Sequence, residues 1–345
     1  MGYREQDSRI VKLRKEGNTI WSYSKLGAFH NCKFAYKLGY IDKIKGDDNI
    51  YSLLGSLAHD ILEEAYNTKS YDCVKAEERF VSELDSIIDK GFVFSKEERM
   101  HLNIYNNYVK SMRHFFRHFK LEEFKSKQEG LVLAHLFDNH YIQGYYDQIR
   151  NYSGELQVID FKTSTEFKGA DRDDKAKQLI LYADILSKNS KHSIDKVGWY
   201  MLKYCKISYP LKNGKTKETI ALRSEWVKKL EKQIDKDLSA MGMDDLEVNM
   251  YVCEAVANNT LEGLPELIQM KYKVEDYIDW YEYSEVDVEK VYKYIKDTIE
   301  SIGKETEWKP NLESTYYCNS LCGFSKMCPY IAQSNEQFDE FDDLL

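Results

Sequence analysis

An aspartate and a lysine inside an apolar segment are the first candidates for chemistry. The segment VIDFKTS (158–164) has the composition of a buried β-strand, yet it contains Asp160 and Lys162. Charged side chains in such a segment are costly unless something pairs with them. Because residues i and i+2 of a strand share a face, Asp160 and Lys162 project to one side and Phe161 to the other.

A second carboxylate faces the first if this strand and the preceding one form a hairpin. Ser153 and Gly154 are a turn signal between the two strand-like segments. A two-residue turn at this pair places Asp147 opposite Asp160, with Cβ atoms roughly 4.5–5.5 Å apart. Carboxylates at that distance repel each other unless a cation lies between them, and hard divalent ions such as Mg²⁺ prefer oxygen ligands. The alternative is a surface hairpin with incidental charges, since Asp-x-Lys alone is common.

Lys162 adds a function to this pair of acids. On the same face as Asp160, its amine can orient or help deprotonate a water and neutralise developing negative charge. A metal that holds both a phosphate oxygen and a water is what phosphodiester hydrolysis requires.

The elements around these residues predict an α/β (α+β) fold. Apolar residues have helical spacing up to about Asp89, and a long helix is predicted from about Lys96 to Lys125. Strand-like alternation, a helix and a further strand follow up to about residue 205. This order predicts a central mixed β-sheet flanked by helices.

Residues 206–300 are predicted to form a helical insertion or a second lobe. They open with a hairpin at Asn213–Gly214, a strong turn pair, and continue as charged helices. The predicted organisation is an N-terminal extension (1–19), a core (20–205), the insertion (206–300), the C-terminal part of the core (301–330) and an acidic disordered tail (331–345).

Charge and hydropathy restrict the class of protein. The net charge of −9 argues against binding nucleic acid by bulk electrostatics, although Arg113, Arg117 and Lys120 recur at helical spacing. No apolar run approaches the roughly 18 residues that span a bilayer. The N-terminal segment is charged and lacks a signal-peptide core. We therefore expect an intracellular, cytoplasmic protein without membrane contact, and a phage origin fits the compact chain.

Five motifs in order resemble the RecB-like branch of the PD-(D/E)XK nuclease superfamily. They are SYSKLGAFHNCKFAYKLGY, LLGSLAHDILEEAY, GYYDQI, VIDFKTS and KQLILYADIL. The resemblance covers roughly residues 20–205 and 305–330, and implies a restriction-endonuclease-like core. The departure is Asp160 where much of the superfamily has Glu.

The resemblance implies roles for individual residues. Asp147 and Asp160, with Phe161, would belong to a Mg²⁺ or Mn²⁺ site, and Lys162 would be the catalytic lysine. His59 would be a metal ligand or proton handler, and it lies at the border of the apolar face of its helix.

Gln178 and Tyr182 are the candidate substrate-binding residues. They stand at i and i+4 and so share a helix face. The resemblance implies contact with the substrate strand or support of the site; the alternative is two solvated positions. Glu129 is a further candidate acid for the metal site.

Four of the seven cysteines are candidate ligands of a second metal centre. Cys318, Cys322 and Cys328 are close in sequence, and disulfides are rare in intracellular proteins. Such a density of thiolates favours a soft metal or an iron–sulfur cluster, with Cys32 as the fourth ligand. The set resembles the [4Fe–4S] staple of AddB-type and CRISPR-adaptation nucleases. Its first spacing departs from that family, so zinc or reduced thiols remain alternatives.

The sequence therefore predicts a metal-dependent DNA nuclease, an exonuclease acting in recombination, repair or phage DNA processing. Its substrate would be single-stranded DNA or DNA ends. The acidic tail with its aromatic residues resembles the tails with which single-strand-binding proteins recruit partners. A helicase or a single-strand-binding protein is therefore a candidate partner. The main alternative is a non-catalytic nucleic-acid-binding scaffold that retains the fold. A third reading makes the cysteines a redox or damage sensor.

Overall fold

A seven-stranded mixed sheet with helices on both faces forms the centre of the molecule. The computed structural model describes residues 7–122, 124–314 and 316–331. The predicted α/β class, with a central mixed sheet flanked by helices, is confirmed. Within those ranges, no helix has both the length and the apolar character that crossing a membrane requires.

The strands and helices follow one another as an N-terminal helical half and a mixed C-terminal half. The strands are β1 (Thr19–Ser22), β2 (Lys125–Phe137), β3 (His140–Tyr152), β4 (Glu155–Lys162), β5 (Lys196–Pro210), β6 (Thr216–Leu222) and β7 (Lys273–Tyr281). The helices are α1 (Ser8–Lys15), α2 (Tyr23–Asn31), α3 (Lys33–Tyr36), α4 (Ile50–Thr68), α5 (Cys73–Asp89), α6 (Glu98–His118), α7 (Gly169–Lys188), α8 (Trp226–Ala240), α9 (Asp245–Asn258), α10 (Glu266–Lys271) and α11 (Glu285–Lys304).

The β3–β4 hairpin has the turn and the register predicted from the sequence. Ser153 and Gly154 both have positive φ, 53° and 92°, as a two-residue type I′ turn requires. The strands then pair over five successive positions, the last being Gln148 opposite Ile159. The register is therefore confirmed up to the position next to Asp147.

The sheet branches at β3. β2 pairs along one edge of this strand, so β1 and β4 share its other edge. β1 pairs in parallel with residues 140–143, and β4 pairs antiparallel with residues 148–152. In the described part of the chain, residues 144–147 therefore face a gap between two partner strands, and Asp147 lies at its border.

Side chains from both faces of β4 are buried. Val158 packs into a core formed with α7 and α11. Ile159 and Phe161 pack into a second core formed with α4, α5 and α6. A strand covered on both faces reads as a continuous apolar run, which explains the composition around Asp160.

β5 crosses the domain boundary predicted at residue 205/206. It pairs with β7 on both sides of that position, and α11 packs in the same core as α7. α8, α9 and α10 share a separate core with β6 and the end of β5. We therefore propose that the added lobe is limited to residues 216–271. Apart from Ile331, the predicted acidic tail lies outside the described residues.

Candidate active site

Asp147 lies where the β3–β4 pairing ends. Its Oδ2 accepts a hydrogen bond from the backbone N–H of Phe161 at 2.7 Å. The carboxylate thus accepts a hydrogen bond that a backbone carbonyl of a paired strand would otherwise accept from β4. This bond fixes the carboxylate at the border of the gap in the sheet.

Asp160 and Lys162 project to the same side of β4 and form an ion pair through Asp160 Oδ2 and Lys162 Nζ. Only 12% of the Asp160 side chain is exposed. Its Oδ2 is buried, and its contact in the described part of the chain is the ammonium of Lys162. A buried carboxylate needs a cation beside it, which can be this lysine or a metal ion.

His59 of α4 contacts both acid-bearing strands. Its Nδ1 lies 3.4 Å from Asp147 Oδ1, and its Nε2 lies 2.9 Å from the backbone oxygen of Phe161. Since both ring nitrogens face oxygen atoms, the arrangement suits the imidazolium form, in which both nitrogens donate. The predicted candidates Asp147, Asp160, Lys162, His59 and Phe161 therefore lie together.

The charges of this group shift one another's pKa. Burial lowers the pKa of His59, but Asp147 and Asp160 outweigh it, so the net shift is upward. Burial raises the pKa of Asp147, yet the hydrogen bond and charge of His59 bring it below its ordinary value. Burial holds the pKa of Asp160 above its ordinary value despite the attraction of Lys162. The carboxylates outweigh burial at Lys162 and raise its pKa.

We expect the stabilising contribution of His59 to be largest at low pH. Because its folded-state pKa is raised, the contribution is fully present below the unfolded value of about 6.5 and is lost as pH rises through the folded pKa. Thermal unfolding of metal-free wild type and His59→Gln between about pH 5 and 8 would measure it. The destabilisation by the substitution should shrink toward high pH. A difference that stays constant, or grows with pH, would contradict this assignment.

A divalent metal suits the donors of this site, although the described residues contain no ready-made group of three or more His, Cys, Asp or Glu ligands. The fit rests on the chemistry of the donors, since two carboxylates, an imidazole and a backbone oxygen lie close together. Phe161 could contribute only its backbone oxygen, because its side chain has no donor atom. In the structure, that oxygen and His59 Nε2 are joined by a hydrogen bond. Both groups are able to ligate a cation, and this hydrogen bond would have to break for both to do so.

Gln178 and Tyr182 of α7 pack beside the gap in β3. Gln178 Nε2 donates to Tyr182 Oη at 3.0 Å. Tyr182 is only 4% exposed, and burial raises its pKa to about 12. Their contact with substrate stays a prediction, whereas the interaction between the two side chains is direct.

Sequence reasoning missed the importance of Gly144. A Cβ at this position would lie 2.1 Å from Tyr182 Oη, so the glycine makes room for the ring. The sequence signal was a glycine inside a strand, which often marks close approach of another group.

Gly144→Ala should destabilise the protein by about 1–3 kcal/mol, because the new methyl group must displace a buried ring. Urea unfolding would measure the loss. Gly27→Ala in α2 is the matched control, since its Cβ would meet no heavy atom within 4 Å and alanine favours a helix by about 0.5–1 kcal/mol. Equal effects at both glycines would show that the Tyr182 ring does not need this space.

Glu129 interacts with Glu63, another residue that the sequence did not single out. Burial raises the pKa of Glu63, and a hydrogen bond with Glu129 raises it further. Glu63 follows His59 by one helical turn, which was the available signal. Glu129 has a φ of 33°, an uncommon value for a residue other than glycine.

The four candidate cysteines lie where the C-terminal segment packs on the N-terminal helices. The backbone N–H of Asp47 donates to Gly323 O at 2.8 Å, and Asn49 Nδ2 donates to Leu321 O at 3.1 Å. Within this corner Cys32, Cys318 and Cys328 are buried, Cys322 is half-buried, and all four are free thiols.

These thiols lie within electrostatic range of one another. Burial raises the pKa of Cys318, with further contributions from Cys32 and Cys328. Burial also raises the pKa of Cys322, to which the other three thiols contribute. The donor chemistry suits a soft metal or a cluster, although the sulfur atoms do not form a ready-made ligand group within the described ranges.

Comparisons with known proteins found a family and a solved structure to which this chain is similar. A family model, described as the PD-(D/E)XK nuclease superfamily, matches residues 20–329. A solved structure, described as "Crystal structure of SSO0001", is 15% identical, with 94% of this chain and 98% of that chain covered and a TM-score of 0.27.

Proposed function

Since the chain belongs to the PD-(D/E)XK nuclease superfamily, we propose that it is a Mg²⁺- or Mn²⁺-dependent deoxyribonuclease that hydrolyses phosphodiester bonds. The observation that carries the proposal is that Asp147, His59 and the buried Asp160–Lys162 ion pair lie together where the β3–β4 pairing ends. The superfamily implies DNA as the substrate.

Four groups of this chain would hold the metal: the carboxylates of Asp147 and Asp160, the backbone oxygen of Phe161 and the imidazole of His59. When bound, the metal would polarise a phosphate oxygen and lower the pKa of a water. His59 must lose its proton to become a ligand, so its raised pKa makes protons compete with metal. Asp147 keeps its orientation through the N–H of Phe161.

Lys162 would act as a charged donor. The neighbouring carboxylates raise its pKa, so its ammonium can hold the attacking water and offset negative charge on the phosphate. The water oxygen forms a bond to phosphorus while the bond to the leaving oxygen breaks. The proton released by the water balances the one that the leaving oxygen gains.

Incubation of the purified protein with end-labelled DNA would test this function. Single-stranded and duplex substrates would each receive Mg²⁺, Mn²⁺ or EDTA. We expect cleavage with either metal and none with EDTA. Intact DNA under all metal conditions would reject the nuclease in favour of a binding protein that retains the fold.

We further propose exonuclease activity in recombination, repair or phage DNA processing, with a helicase or a single-strand-binding protein as partner. This rests on the resemblance of the five motifs to the RecB-like branch. Linear and covalently closed circular single strands, supplied in equal amounts, would distinguish exonuclease from endonuclease activity. An exonuclease degrades the linear molecule and spares the circle, whereas cutting of both would identify an endonuclease.

We also propose that Cys32, Cys318, Cys322 and Cys328 bind a [4Fe–4S] cluster, with zinc or free thiols as the alternatives. Burial of three of the four, in the corner where the C-terminal segment packs on the N-terminal helices, supports ligation. The role would be structural, because the cluster would join chain segments nearly 300 residues apart. Visible absorbance and iron content of anaerobically purified protein should identify the cluster. Zinc without iron, or four titratable thiols without metal, would establish the corresponding alternative.

A further inference from the structure

A large cavity lies at the C-terminal end of α4. It has a volume of about 1160 Å³ and is bounded by the ends of α4 and α6, by residues 119–122 and 124, and by the start of β2. Its aromatic lining consists of Tyr66, Tyr71, Phe119 and Phe124. We name this cavity the α4 cleft.

The rim of the α4 cleft is cationic. Lys69, Lys120 and Lys125 are exposed and form no ion pair with a carboxylate in the described ranges. Arg117 also lines the cleft, but its guanidinium is paired with Glu77. Among the described lining residues, Glu122 is the only acid. Three lysines are thus available for an anion.

An adjoining cavity shows that this surplus of charge is local. It has a volume of about 740 Å³ and shares Tyr66, Phe119 and Lys120 with the α4 cleft. The lysines that line this cavity but not the cleft are all paired: Lys196 with Glu155 at 2.8 Å, Lys206 with Glu218 at 3.4 Å and Lys273 with Glu275 at 2.6 Å. An anionic ligand is therefore favoured in the α4 cleft.

The α4 cleft is adjacent to the candidate active site. Tyr66 follows His59 by seven residues of the same helix, which corresponds to about 10 Å along its axis. The Tyr66 hydroxyl also interacts with Gln148, the neighbour of Asp147 in β3. A strand bound in the cleft could therefore extend to the acids.

We propose that the α4 cleft binds single-stranded DNA, with phosphates on Lys69, Lys120 and Lys125 and bases against Tyr66 and Phe124. This deepens and rests on the proposed nuclease function, since it names the substrate form. Bases stack on aromatic side chains only when their faces are accessible, as in a single strand. A duplex presents phosphates but conceals those faces, so the combination of rings and lysines favours the single strand.

Fluorescence anisotropy with a labelled oligo-dT in EDTA would test the charges without cleavage. The combined variant Lys69→Glu, Lys120→Glu, Lys125→Glu should bind at least about tenfold more weakly. The slope of log K against log salt should also fall by about 2, because each lost phosphate contact removes about 0.7. The matched control reverses three exposed lysines of α8, namely Lys229, Lys232 and Lys236. Equal affinity and slope in both triple variants would overturn the proposal.

The contribution of the Phe124 ring to DNA binding is tested by a separate pair of variants. Phe124→Leu should weaken oligo-dT binding about tenfold, whereas Phe124→Tyr, which keeps a ring, should retain it. A blunt duplex of the same length should respond little to either change. An equal loss for duplex and single strand, or no loss for leucine, would overturn base stacking in the cleft.

The two proposals can fail separately. Binding in EDTA without cleavage in any metal would reject the nuclease and leave the cleft assignment standing. If the wild type cleaves DNA with metal and the cleft variants bind DNA normally, only the proposal that the α4 cleft binds DNA would be rejected.

Discussion

Asp160→Asn should reduce metal-dependent cleavage by about a thousandfold or more. The substitution keeps the shape of the side chain but removes the charge that would hold the cation, and metal stabilisation of the reaction is worth several kcal/mol. About 4 kcal/mol corresponds to a thousandfold in rate. Initial rates on a labelled single strand, with Mg²⁺ or Mn²⁺ at saturation, would measure the loss.

Binding distinguishes an active-site effect from unfolding. Asp160→Asn should still bind oligo-dT in EDTA, because the α4 cleft is unchanged. Asp138→Asn is the matched control: the residue is exposed at the β2–β3 turn, with a φ of 46° that asparagine adopts readily. Cleavage by Asp160→Asn at the rate of this control would remove the acid from the mechanism.

Asp276→Ala should destabilise the fold by about 3 kcal/mol. Its carboxylate receives hydrogen bonds from Arg223 Nη2 and Tyr200 Oη. Arg223 is only 1% exposed, so the substitution leaves a buried guanidinium without its counter-charge. Removing one partner of a buried pair typically costs 3–5 kcal/mol, and we expect the lower end because 32% of the Asp276 side chain is exposed.

Urea unfolding of three variants would test the role of this pair. Arg223→Met combined with Asp276→Ala should be more stable than Asp276→Ala alone, since no unpaired buried charge remains. Asp297→Ala, which removes an exposed partner of Lys293, should cost less than about 1 kcal/mol. If Asp276→Ala behaves like Asp297→Ala, the buried pair contributes little to stability.

Local chemistry made the hairpin predictable. Ser153 and Gly154 supply the two positive φ values of the turn, and strand alternation then fixes which residues share a face. Asp160 and Lys162 could be placed together for the same reason. The apolar run around them already indicated a strand covered on both faces.

Contacts between segments that are far apart in the sequence could not be predicted from turn residues and strand alternation. His59 reaches the backbone oxygen of Phe161 across 102 residues, which only the packing of α4 on the sheet determines. β7 has no alternation of buried and exposed residues, since all its residues after Lys273 are half-buried, so its sequence did not show that it pairs with β5. Gly144 acquires its role only when the Tyr182 ring is placed above it.

One helix spans all three regions discussed above. α4 begins beside the cysteine corner, carries His59 at its middle and ends at Thr68, two residues after Tyr66. Its 19 residues form a rod about 28 Å long. Each deletion of a single residue between His59 and Tyr66 would turn one end about 100° relative to the other. The distance from His59 to Tyr66 is therefore coupled to their relative direction, and only changes of three, four or seven residues would keep both near the same face of the helix.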